Sequence, residues 1–510
     1  MSPVGSPALN VTQHLGVQYA KLKNAFADAE IINYESIAAM KSGKHGPSAV
    51  HPPKCCEKEF NIIQQSLPVP EFPQSATDCL NLNVTVPGQV GKTSALPVFV
   101  FIHGGGFALG SNAWPQYDLA RIVQLSSDLN MPIIGVNINY RLGPFGFMTS
   151  EEFRSHGYSA NNGLRDQKTA LQWVQKHIAL FGGDPGRVTC IGESAGAVSC
   201  MHLVEMFGPE RPFQQVMSMA GTPAMLRPLP AFVADSIYGT VVGILGLGHL
   251  SGKERVDAIL KLSAAEILEK LPPGLPFMPV LDPTTLKNEV SFAQVLSGNG
   301  LSHCKDVALL IGNLDMDASV FDTLLVGKKQ GALERFKAIA MEAIPDHASK
   351  LLAAYKIEDG MSEDAAWRSL MHLSSDINFQ APTEAYASVW PSTVYKYKLR
   401  EPNPWDGPWK GYSTHVLDVA FLFQNYNERL AAPQVDVAVQ YATDVISFIN
   451  FKAPFPSYDK EKAYTKEYLS DHGKEQLVAR GAGDGEIWPE MFAQIGLDTL
   501  SEIWGKFVTS

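Results

Sequence analysis

The sequence predicts an α/β protein built on a mostly parallel sheet with helices on both faces. Three observations carry that expectation. Apolar runs rich in Val, Ile and Phe recur at 97–102, 132–140, 188–191, 213–219 and 307–311, and such runs mark strands covered on both faces. Stretches of helical period lie between them, the alternation that builds parallel sheets. The segment Cys190-Ile191-Gly192-Glu193-Ser194-Ala195-Gly196 then turns a buried strand into a helix within a residue or two. Small neighbours at Gly192 and Gly196 let strand and helix approach, and the turn lifts the serine hydroxyl clear of the sheet edge.

In chain order, a loop-rich start leads to residues 80–86, which alternate as a strand. Helical spacing over 117–130 separates the strands at 97–102 and 132–140. Residues 161–181 give the clearest helix, with Leu164, Ala170, Leu171, Val174 and Ile178 on one face, and Gly182-Gly183-Asp184-Pro185 stops it. From 223 to 301 the pattern is helical and loop-rich, broken at Leu271-Pro272-Pro273-Gly274. Helical segments return over 333–374, and 393–399 reads as another strand. No linker rich in Gly, Ser or Pro separates two cores. One catalytic domain over 1–510 is expected, with helical insertions around 223–301 and 320–390.

Composition narrows the function. The 510 residues are 45% apolar and 18% charged, ordinary for a folded globular chain. Their 41 basic and 52 acidic side chains give a net charge of −11, with no basic cluster to track phosphates, so nucleic acid is not an expected partner. The stretch 237–247 is too short to span a bilayer. The first residues lack a basic start and an apolar core, so no signal peptide is read and a cytoplasmic location is expected. The sequons at Asn10 and Asn83 are then expected to go unused. No pair of the six cysteines has zinc-ligand spacing with nearby histidines, so neither metal nor cofactor is expected.

A serine needs a base, a group orienting that base, and donors for an oxyanion. The strand at 96–102 runs into His103-Gly104-Gly105-Gly106-Phe107, whose glycines let bare N–H groups come close to a substrate oxygen. Partners of an elbow serine follow it in the chain as acid, then base. Two downstream loops qualify: 312–319, holding Asp315 and Asp317, and 401–412, leading into Ser413-Thr414-His415. Of 13 histidines, only His415 has that placement. His103 and His202 read as structural.

The chain resembles the type-B carboxylesterases, the group that includes cholinesterases and many fungal esterases and lipases. The resemblance rests on Asp78-Cys79-Leu80-Asn81-Leu82-Asn83, His103 to Phe107, Asn139-Tyr140-Arg141-Leu142-Gly143, Asn162-Gly163-Leu164-Arg165-Asp166-Gln167, Phe181-Gly182-Gly183-Asp184-Pro185 and Gly192 to Gly196. It implies an α/β-hydrolase fold, Ser194 as nucleophile, His415 as base, and the N–H groups of Gly105, Gly106 and Ala195 as the oxyanion hole. Members usually show Glu-Gly at the acid; here Asp317-Ala318 stands in register, favouring Asp317 over Asp315. The family's H-G-x-E-x-x-F reads His415-Val416-Leu417-Asp418-Val419-Ala420-Phe421, with Val for Gly and Asp for Glu. The resemblance also implies a disulfide from Cys79 to Cys55 or Cys56, against which the missing signal peptide argues for free thiols.

The implied activity is hydrolysis of a small-molecule ester through an acyl-enzyme. Alternatives are an acyltransferase or lactone-forming enzyme on the same triad, and a non-catalytic binding protein of the kind that serves cell adhesion. Apolar residues near the site loops, namely Phe107, Trp114, Phe277, Trp405 and Trp409, are candidate substrate-binding walls, although core packing explains each equally well.

Overall fold

Nine strands make one sheet among the described residues: β1 (Val11–Gln18), β2 (Asn81–Pro87), β3 (Leu96–Ile102), β4 (Ile134–Ile138), β5 (Gly183–Glu193), β6 (Gln215–Met219), β7 (Ala308–Leu314), β8 (Val394–Leu399) and β9 (Lys466–Tyr468). The computed structural model describes residues 9–40, 42–88, 91, 93–325, 327–459, 461–479 and 488–510. Strand order is β1-β2-β4-β3-β5-β6-β7-β8-β9. The β1/β2 and β2/β4 pairs are antiparallel. All pairs from β4/β3 across to β8/β9 are parallel. The mostly parallel sheet is what the apolar runs predict, and its arrangement is the α/β-hydrolase fold that the family resemblance implies. Each run is buried because helices cover both faces of the sheet.

Two strands of this sheet lie where no strand is expected. β1 falls in the supposed loop-rich start, where Val17 is its one fully buried position. β9 has three residues. Both are edge strands, with too few covered positions to print a pattern. β5 also starts earlier than expected: the turn at 182–185 ends the preceding helix and enters the sheet at once, pairing Leu96 with Gly183.

The helices that matter for the site are α1 (Cys55–Ile63), α2 (Asn162–His177), α3 (Ala195–Phe207), α4 (Leu417–Leu422) and α5 (Ala432–Ile449). α2 runs into one 3-10 turn, Ile178–Phe181, and stops at Gly182 with φ 86°. Helices Ala231–Ile244, Gly252–Lys261, Ala264–Lys270 and Phe292–Leu296 lie between β6 and β7; five more segments from Ala332 to Val389, one of them the π-turn Asp376–Gln380, lie between β7 and β8.

All six cysteines are buried free thiols. Cys190 on β5 and Cys200 on α3 face each other with sulfurs 3.3 Å apart. The sequon residue Asn83 is buried in β2, where its side chain bonds Gly16 N and Asn112 O. Among the described residues no helix is long and apolar enough to cross a membrane.

Candidate active site

Ser194 sits between the end of β5 and the start of α3, at φ 54° and ψ −123°. This backbone is strained for a residue with a side chain, and its surroundings fix it. The Ser194 N–H donates to Met219 O at 2.8 Å, and its carbonyl accepts from Val198 N at 3.0 Å. A Cβ on Gly192 would meet the Gly196 carbonyl at 2.2 Å, and one on Gly196 would meet Ile102 O at 2.0 Å. Only glycines let β5, α3 and β3 approach this closely. The Ser194 side chain remains half-buried.

The glycine turn leaves the end of β3 beside this elbow. Gly105 and Gly106 have φ 92° and 59°. Among the described residues, the N–H groups of Gly105, Gly106 and Ala195 make no backbone hydrogen bond. Backbone donors left free in this way can hold an oxyanion.

His415 enters from the loop after β8 and Asp317 from the loop after β7. His415 Nδ1 lies 2.8 Å from Asp317 Oδ1, and the other carboxylate oxygen accepts the Leu314 N–H at 2.7 Å. Asp317 is fully buried. Burial pushes its carboxyl up, while the hydrogen bonds from His415 and Leu314 pull it back. Asp315 points elsewhere, pairing with Lys398 at 3.3 Å and Arg400 at 3.1 Å. The imidazole also packs edge-on against Phe379 at 5.3 Å.

Three further carboxyls surround this histidine. Glu193, the residue before the serine, places Oε1 3.1 Å from His415 Nε2. Burial pushes Glu193 well up, and Asp418, Glu59 and Asp317 push it further. Asp418 on α4 is pushed up to about 7 by burial and by Asp317; it accepts from the Val419 N–H at 2.9 Å and from the Tyr397 hydroxyl at 3.4 Å. Glu59 on α1 is buried, raised by that burial, and accepts from Gln116 Nε2 at 2.9 Å. None of the three was expected at the site. Glu193 was visible inside the elbow motif and Asp418 beside His415, but nothing in the sequence around Glu59 marks it.

Four of the five candidate wall residues are buried, and the fifth is half-buried. Phe107 is buried against Phe147 at 4.9 Å, and Trp114 is stacked on Tyr117 at 6.1 Å. Trp405 packs on Tyr426 and donates to Arg429 O at 3.1 Å; Trp409 packs on Tyr412 and donates to Asp322. These four are core side chains, because a large apolar face gains more from full burial than from a site wall. Phe277 is half-buried in a small cleft with Phe147 and Leu229. His103 and His202 are buried and neutral, lowered to about 4 by burial.

Comparisons with known proteins identify the family of the chain. Residues 3–478 match the model of the Carboxylesterase family. The para-nitrobenzyl esterase of Bacillus subtilis is 31% identical over 403 residues, 77% of this chain and 76% of that protein. Lipase 3 of Yarrowia lipolytica is 28% identical over 458 residues, 84% of this chain and 83% of that one. A solved PNB esterase structure superposes with a TM-score of 0.69 at 25% identity, covering 93% of this chain and 97% of its own. The chain belongs to the carboxylesterase family, serine hydrolases that cleave carboxylic esters.

Proposed function

We propose that ester cleavage runs through an acyl-enzyme on Ser194, with His415 as general base and Asp317 as its orienting acid. The observation that carries this reading is the 2.8 Å contact of Asp317 with His415 Nδ1. It leaves Nε2 as the nitrogen that takes the serine proton, and the buried carboxylate stabilises the imidazolium that forms. The N–H groups of Gly105, Gly106 and Ala195 receive the oxyanion. His415 then returns the proton to the leaving alcohol, and water, activated by the same ring, releases the acid.

Small-molecule esters are the substrate class. The likeness to a para-nitrobenzyl esterase supports testing benzyl esters beside nitrophenyl esters. One catalytic domain is the reading that a continuous sheet favours, since it draws strands from Val11 to Tyr468. A reducing, cytoplasmic setting is supported by the six free thiols.

The test is hydrolysis of p-nitrophenyl esters from acetyl to dodecanoyl, with Ser194→Ala as control. Turnover in the wild type that falls by several orders of magnitude in the variant supports the assignment. Equal turnover in the two proteins overturns it.

A further inference from the structure

β7 and β8 end side by side, with Leu314 paired to Leu399. After β7 the chain turns back at once, into the 3-10 turn Asp317–Val320. After β8 it runs through residues 400–414 with no helix, and only an isolated bridge from Thr414 to Met316, before it delivers His415. A segment of that length has many conformations open to it. Proton transfer needs its atoms held to within a fraction of an ångström, so the base loop must be fixed to the acid turn.

The turn holds His415 at two atoms. Asp317 Oδ1 lies 2.8 Å from ring Nδ1, and Ser319 Oγ accepts the His415 backbone N–H at 3.2 Å. Ser319 is 3% exposed and His415 1%, so this donor lies away from solvent. The turn is itself anchored: the Ala318 N–H donates to Ser375 Oγ at 3.0 Å, and the Met316 N–H to Ser413 O at 2.8 Å. A ring fixed only through Nδ1 is free to pivot about that contact; fixed at its backbone as well, it presents Nε2 in one direction. Without the Ser319 oxygen the buried N–H loses its partner, and the base loop shifts to regain one. Farther out, Trp409 Nε1 donates to Asp322, a second tie between the same two loops that does not touch His415. We propose that Ser319 is a positioning residue for ester cleavage, its hydroxyl oxygen setting the direction of His415 Nε2. This rests on His415 being the general base.

Steady-state hydrolysis of p-nitrophenyl butyrate tests it, with thermal midpoints measured beside it. Thr and Val have the same shape, and only Thr keeps the acceptor. Ser319→Val and Ser319→Ala are expected to lose about 10- to 100-fold in kcat. KM is expected to stay within about twofold, because substrate contacts are untouched. Ser319→Thr is expected to keep kcat within about threefold of wild type. Trp409→Phe cuts the outer tie and is expected to lower the midpoint while kcat stays within about twofold. Equal kcat in Ser319→Thr and Ser319→Val overturns the proposal. So does a Trp409→Phe loss as large as that of Ser319→Ala, since kcat would then follow loop stability alone. If neither β-branched variant folds, Ser319→Ala decides: wild-type kcat there, with Ser194→Ala inactive, overturns the positioning role alone. Turnover that survives in Ser194→Ala overturns the triad, and this role with it.

Discussion

His415 Nε2 lies 3.1 Å from Glu193 Oε1, while Nδ1 of the same ring faces Asp317. Burial, with Asp418, Glu59 and Asp317 adding to it, pushes the Glu193 carboxyl well up, toward its neutral form. Glu193→Gln conserves a neutral side chain of the same shape, and kcat/KM is expected to stay within about tenfold of wild type. Asp317→Asn loses the charge that holds the tautomer, with an expected fall of about 10⁴. Steady-state hydrolysis of p-nitrophenyl butyrate by both variants checks this. Equal losses would sink the distinction.

Asp418 makes stability depend on pH in a defined direction. Burial and the neighbouring Asp317 push its carboxyl up to about 7 in the folded chain, from about 3.9 for an ordinary aspartate. Its contribution is therefore complete below about pH 4 and is lost as pH rises through about 7. Asn at 418 keeps an acceptor for the Val419 N–H and cannot ionise. Asp418→Asn is expected to match wild type near pH 4 and to exceed it by about 1 kcal/mol or more above pH 7. Thermal midpoints of both proteins across this range decide it. Parallel curves would show that Asp418 does not take up a proton on folding.

The parts of the candidate site legible in the sequence are those whose placement is written locally. The elbow needs Gly192 and Gly196 next to Ser194, and the oxyanion turn needs glycines directly after β3. His415 was found by its position after a strand. What stayed hidden depends on packing between distant segments. Glu59 reaches the site only because α1 lies against the loop holding Gln116 and Tyr117. The burial of Trp405 and Trp409 is hidden for the same reason, since lying near a site loop in sequence does not tell which way a side chain turns. Between the two acids, two residues apart, the family register favours Asp317, and Asp317 is the one that lies against His415 Nδ1 while Asp315 pairs with Lys398 and Arg400.

Gly104 holds space for the carboxyl beside the base. A Cβ there would lie 2.4 Å from Glu193 Oε2 and 3.0 Å from Ser194 Cβ. At Gly106 a Cβ meets nothing within 4 Å, and its φ is 59°. Gly104→Ala must therefore displace Glu193 and the nucleophile, with an expected loss in kcat of about 100-fold or more. Gly106→Ala is expected to remain folded at a stability cost of about 1–2 kcal/mol for its backbone. Unchanged turnover in Gly104→Ala would show that the carboxyl has room to move.

The thiols give a chemical test of the fold's redox state. All six are free and buried, with Cys79 pushed up to about 12 by its burial. Denatured, unreduced protein is expected to titrate six groups with a thiol reagent, and native protein to react slowly. A count of four would restore the bridge from Cys79 to α1.

Val416 carries the last prediction. It occupies the family's glycine position at φ 66° and ψ −3°, just before α4, and is 3% exposed. A β-branched residue in the left-handed region is strained, by about 1–2 kcal/mol. Removing its buried side chain costs about 1.5–3 kcal/mol. The two effects oppose each other in Val416→Gly, so the net loss is expected to be about 1 kcal/mol. Val419, three residues on and fully buried within α4, has no such strain to release. Val419→Gly gives up the same side chain and adds about 1 kcal/mol of helix penalty, for an expected loss of about 2.5–4 kcal/mol. Denaturant midpoints of the two variants separate the cases; equal losses would mean that the Val416 backbone is not strained.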